Sequence, residues 1–218
     1  MKLIAGLTLS VALAVGGCTT SMDKANAENN LSHAHMGHVT TAWSDTPDGK
    51  GFLPVAIAEA KTAAQHAGFA ASKPNDLAWM QTHTKHVLHA VDPSVEPKGP
   101  GLGYGVIKAA AGAAKHINAA AMSDGASQNV AAHSVHVATA SQNTVDRAKQ
   151  IVVLGAQLMA ATSAAEAAPL VEQIKQLSDA LLAGVDANGD GTISWQQGEG
   201  GLSEAQKHIG FMVKGEGL

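Results

Sequence analysis

Alanine sets what this chain can fold into. From Leu53 onward it dominates, and no alternating apolar–polar run of useful strand length interrupts it. Alanine favours helix, and a strand needs the period-two pattern that is missing here. The expectation is an all-α fold. The stretch "GVIKAAAGAAKHINAAA" shows the cost of that composition. Such a helix lets neighbours approach closely but buries little area per residue. Leu, Ile and Val on the later helices must supply most of the core.

Five or six helices can be marked. The first runs over Pro54–Ala70, with proline suitably at its start. The second runs over Asn75–Val91, entered through "KPND" and stopped by "DPSVEPKGPGLG". A third covers Tyr104–Met122, a long fourth Ser127–Ala161, and a fifth Pro169–Ala183. The last spans Glu204–Val213, where Ser203 and Gln206 form a capping-box pattern. The economical architecture is an up-down bundle of about four main helices with a C-terminal helix-loop-helix. The 92–103 connection is long enough to cross over.

The first residues read "MKLIAGLTLSVALAVGGCTT". A positive start at Lys2, an apolar run from Leu3 to Val15 and small residues before Cys18 make a secretory signal too short for a comfortable membrane span. Val15-Gly16-Gly17-Cys18 resembles the lipobox of bacterial lipoproteins. That resemblance implies removal of residues 1–17 and lipidation of Cys18. Two or more acyl chains anchor stably where one holds marginally. It also implies an outer-membrane lipoprotein facing the periplasm or cell surface, since Thr19 follows the cysteine. Cys18 is the only cysteine, so a lipidated chain has no thiol left for disulfides, zinc ribbons or iron–sulfur clusters. A net charge of −4 gives no footing for nucleic acid. Residues 18–52, polar and aperiodic, read as a flexible tether carrying "HAHMGH". A histidine-bearing bundle follows over 53–165, and the last bundle helix, a loop and a final helix over 166–218.

The loop is "DANGDGTISWQQGEGG", from Asp186 to Gly201. Asp186, Asn188, Asp190, Gly191 and Ile193 resemble positions one, three, five, six and eight of the EF-hand calcium loop, with the Thr192 carbonyl at seven. The resemblance implies calcium binding and departs at position twelve, where Gln197 replaces the bidentate glutamate. Two readings stay open. One is a weak calcium site, in which flanking glycines let Glu199 swing back as a substitute ligand. The other is a metal-free turn held by Asx hydrogen bonds.

Eleven histidines stand in the chain, in clusters. His33, His35, Met36 and His38 share the tether, where imidazole beside thioether suits copper and a flexible segment binds loosely. His83 lies at the margin of the stripe formed by Leu77, Met80, Thr84, Val87, Leu88 and Val91. His86 and His89 each turn about 60° farther from it. His66 shares a face with Val55, Glu59, Thr62 and Phe69. His133 edges the seam of Val130, Val137, Thr144, Ala148 and Val152, with His136 farther round, and His116 stands beside its helix's alanine face. His66, His83 or His86, His116 and His133 come from four helices, as the ligands of bundle-core metal sites do. Zinc, copper or nickel suit such a site. Glu59 and Asp76 are the nearest carboxylates to support it. No helix carries Glu-x-x-His, which excludes the di-iron pattern, and no C-x-x-C-H is present for covalent haem. Non-covalent bis-histidine haem b is disfavoured by scarce aromatic walls. No H-E-x-x-H, G-x-S-x-G or nucleophile–base pair points to catalysis. The reading is a lipid-anchored, non-enzymatic metal-binding protein. The alternatives are an electron-transfer protein with haem and a structural or interaction bundle without metal.

Overall fold

The computed structural model describes residues 30–218. The signal segment, the lipobox and Cys18 lie outside the described residues. Within them seven helices are found and no strands. They are α1 (Leu31–Thr40), α2 (Phe52–Ala71), α3 (Leu77–Val91), α4 (Val106–Met122), α5 (Gln128–Ala160), α6 (Ala164–Ala183) and α7 (Leu202–Glu216). The all-α bundle read from the alanine content is the fold.

α2 and α5 each pack against α3, α4 and α6. α1 lies on α4, and α7 lies on α5. Alanines make these approaches close: Ala56, Ala60, Ala63, Ala67 and Ala70 form one buried stripe on α2, and Ala109, Ala113 and Ala120 are buried on α4. Volume comes from elsewhere. Ile117, Ile151, Leu158, Ile174, Leu181 and Leu202 are among the largest fully buried side chains, each stabilising by roughly 1.5–3 kcal/mol relative to exposure.

Helix ends follow local chemistry. The Asp76 side chain accepts from Trp79 N to cap α3, and Ser127 accepts from Val130 N to cap α5. The α6 start moves from the expected Pro169 back to Ala164. Ser163 caps it by accepting from Glu166 N, while Glu166 accepts from Thr162 N, and Pro169 falls inside. The capping box expected at Ser203 does not start α7, whose N-cap is Gly201 with Leu202 already helical and buried.

Residues 31–52, expected as part of a flexible tether, are ordered. Met36 and Val39 are buried on α1, so the short helix anchors itself through two apolar side chains. Phe52 and Leu53 are buried beyond it. The connection between α3 and α4 does cross over, since those two helices barely touch while α4 packs against α1, α2 and α5. Glu59 pins that connection. Its carboxylate is fully buried on α2 and accepts from the backbone N–H groups of Leu102, Tyr104 and Gly105 at 3.1, 2.8 and 3.0 Å. Among the described residues no helix is long and apolar enough to cross a membrane.

Candidate metal centres

Nine histidines gather into three triads: His35–His38–His116, His66–His83–His86 and His133–His136–His208. Each triad has one plan. A His-x-x-His pair on one helix meets a single histidine on another. The pairs are in "HMGH", "HTKH" and "HSVH" on α1, α3 and α5, and the single partners come from α4, α2 and α7. Spacing i, i+3 leaves two side chains about 60° apart and one turn displaced, so both can reach the same point beside the helix.

The nitrogens that meet are the same in all three. His116 Nδ1 lies 3.1 Å from His35 Nδ1 and 3.2 Å from His38 Nδ1. His66 Nδ1 lies 3.0 Å from His83 Nδ1 and 3.2 Å from His86 Nδ1. His208 Nδ1 lies 3.0 Å from His133 Nδ1 and 3.2 Å from His136 Nδ1. An imidazole nitrogen has one in-plane direction, used either by a proton or by a lone pair. It cannot serve two such partners well by hydrogen bonding alone. Two nitrogens that far apart, each bonded to an ion at about 2.0–2.1 Å, subtend about 90–105° at it, close to a tetrahedral corner.

Burial holds six of these imidazoles below the ordinary range. The single histidines His66, His116 and His208 are each pushed down to about 4, first by loss of solvation and then by the two triad partners. His38, His83 and His136 are lowered by desolvation and, next, by His35, His86 and His133 respectively. A neutral imidazole is the form that ligates a metal.

Aromatic rings wall every triad. Trp43 stands 4.7 Å from His38 and 4.6 Å from His116, ring centre to ring centre, and Phe52 stacks on His116 at 5.2 Å. Trp79 is 4.3 Å from His83, with Phe69 5.3 Å from both His66 and His83. Trp195 stacks on His136 at 4.1 Å, with Phe211 5.5 Å from His133 and 5.7 Å from His208. The chain has three tryptophans and three phenylalanines, and each triad takes one of each.

The sequence-marked residues are thus redistributed. His66, His83 and His86 do share a site, but His116 and His133 belong to two others. A single centre drawn from four helices is replaced by three, because each short pair is completed by the helix packed beside it. His35 and His38, expected in a loose tether, become ligand candidates once α1 docks. His208, unmarked in the sequence, completes the third triad; the sequence holds four His-x-x-His spacings, at 35/38, 83/86, 86/89 and 133/136, and all but 86/89 gain a third histidine from a neighbouring helix. His89 turns inward instead, its Nδ1 2.9 Å from the Glu96 carbonyl, covered by the crossover connection. Neither expected carboxylate supports a triad, since Glu59 holds the crossover and Asp76 caps α3. Among the described residues Glu204 does stand beside a triad, 3.6 Å from His208 Nε2.

The calcium-like loop is held from within and from below. Asp186 accepts from the N–H groups of Gly189, Asp190 and Gly191, and Asp190 accepts from Thr192 N. Asn188 donates to Asp190 across 3.1 Å, and Gln197 is exposed. Glu199 is buried and turns back, accepting from Ser194 N at 3.0 Å and Ser194 Oγ at 2.7 Å. Arg147 of α5 donates to the carbonyls of Gly198, Glu199 and Gly200, and Asn143 bonds Gln196 O and Gly198 N.

Fold and site together define an all-α bundle bearing three histidine triads, each able to hold a metal ion. No protein-family model matches the chain, and neither curated proteins nor solved structures yield a match.

Proposed function

We propose that this chain is a lipid-anchored metal-binding protein of the extracytoplasmic face, loading transition-metal ions into its three histidine triads. The observation that carries the reading is the repeated convergence of three Nδ1 atoms on one point. One such cluster could be incidental; three built to one plan, on three helix pairs, point to a selected arrangement. The short spacing suits ligands on one side of an ion. The protein's work is to preorganise: helices fix the ligands, burial keeps them neutral and aromatic rings hold water back.

The membrane anchor at Cys18 rests on the lipobox, and the non-enzymatic reading rests on a sequence without H-E-x-x-H or G-x-S-x-G. Calcium at Asp186, Asn188, Asp190 and the Thr192 carbonyl, with Glu199 in place of Gln197, belongs to the same reading. Its support is the ligand pattern of the sequence.

Elemental analysis of untagged protein tests the central claim. Three equivalents of transition metal per chain are expected, falling by one in each of His66→Ala, His116→Ala and His208→Ala. Protein that retains no metal after incubation with copper, zinc or nickel would defeat it.

A further inference from the structure

The charge around the triads speaks to which ion they take. All the clustered candidate ligands are imidazole nitrogens, and no carboxylate joins any of the three groups. Lysines bear on every site. Lys115 and Lys207 directly precede His116 and His208 on their helices. The Lys73 ammonium also lies 3.6 Å over the Trp79 ring. Against these, among the described residues, stands Glu204, 3.6 Å from the far nitrogen of His208 and paired with Lys207 at 3.2 Å.

An ion entering such a place loses water and gains no counter-charge. The desolvation cost rises with the square of the charge, about fourfold from a monovalent to a divalent ion. Repulsion from a neighbouring ammonium doubles as well. What the site offers in return is three nitrogen donors and electron-rich ring faces, Trp being the strongest of the aromatic rings toward cations. Both features favour a singly charged, soft, closed-shell ion content with three nitrogens.

We infer that the triads are three copper(I) sites, selective against zinc(II) and nickel(II). This rests on the metal-binding reading above and adds the oxidation state and the selectivity. A grading among the sites follows. The His133–His136–His208 triad, with Glu204 behind it, tolerates a divalent ion best. The His66–His83–His86 triad, beside Lys73, tolerates it least.

Untagged, metal-free full chain is titrated without oxygen, once with copper(I) against a copper(I) chelator and once with zinc(II) against a zinc chelator. Tryptophan emission and bound metal are both followed. The expected result is emission quenched progressively to three equivalents of copper(I), held at least a hundredfold more tightly than zinc(II). Lys73→Met should improve zinc(II) retention by about one equivalent. Glu204→Gln should weaken zinc(II) at one site while leaving copper(I) within about threefold. Zinc(II) bound as tightly as copper(I), or copper(I) bound with tryptophan emission unchanged, overturns the inference while leaving the triads as metal sites. Retention of neither ion overturns the metal-binding reading itself.

Discussion

Trp195, in the loop between α6 and α7, stacks on His136 of α5 with ring centres 4.1 Å apart and planes 24° from parallel. The stack ties the Asp186–Glu199 loop to one triad. Trp195→Ala should therefore do two things at once. It should speed proteolysis within the loop and reduce transition metal bound by about one equivalent, at the third triad. Unchanged metal content in a loop that has become protease-sensitive would mean the ring is a packing contact only.

Phe52 reaches His116 because Gly112 makes room. A Cβ at Gly112 would land within the Phe52 ring. Gly112→Ala should cost about 1–3 kcal/mol, the usual range for overpacking, even though alanine is the better helix former. Thermal unfolding checks the sign, and a variant as stable as the parent would show that Phe52 can move freely.

Acid should weaken the metal-free protein in a defined window. His66, His116 and His208 have folded values near 4 against an ordinary 6.5. Between those values the unfolded chain binds more protons than the folded one, so stability rises with pH. It is full above 6.5, declines as pH falls toward 4, and takes no further loss from these groups below that. Urea midpoints from pH 7.5 to 4 measure the slope, which should flatten in the triple His→Gln variant. A flat parent profile would contradict the neutral triads.

Removing the Glu59 carboxylate should loosen the crossover connection. Glu59→Ala leaves the buried N–H groups of Tyr104 and Gly105, and that of Leu102, without their acceptor. Each orphaned donor costs about 1–3 kcal/mol, so a loss of several kcal/mol is expected by denaturant unfolding. Exchange of these three amides with solvent should accelerate while α5 and α6 stay protected.

Gln197→Glu addresses calcium. If the loop holds the ion with Glu199 standing in for the usual ligand, a carboxylate at 197 should tighten binding about tenfold or more, seen as a larger calcium-dependent rise in melting temperature. Parent protein whose melting and loop proteolysis ignore calcium would leave the segment as a self-bonded turn.

Much of this fold was legible in composition. Alanine and the missing period-two pattern dictated helices, and Asp76 and Ser127 placed two of their starts through ordinary capping. The loop's internal hydrogen bonds also follow from Asp186, Asn188 and Asp190 at their spacing. The candidate metal centres were half legible. Each His-x-x-His pair is a local fact, because the helical period alone brings i and i+3 to one side. Its completion is not local. His116 lies 78 residues from His38, and His208 lies 72 from His136, and only the packing of α4 on α1 and α7 on α5 joins them. Burial, which keeps the imidazoles neutral, and the allotment of one tryptophan and one phenylalanine to each triad arise from the same packing. The sequence by itself determined the ligand chemistry and half of every site; the tertiary structure decided how many sites there are and which histidine closes each, because those depend on which helices find one another in space.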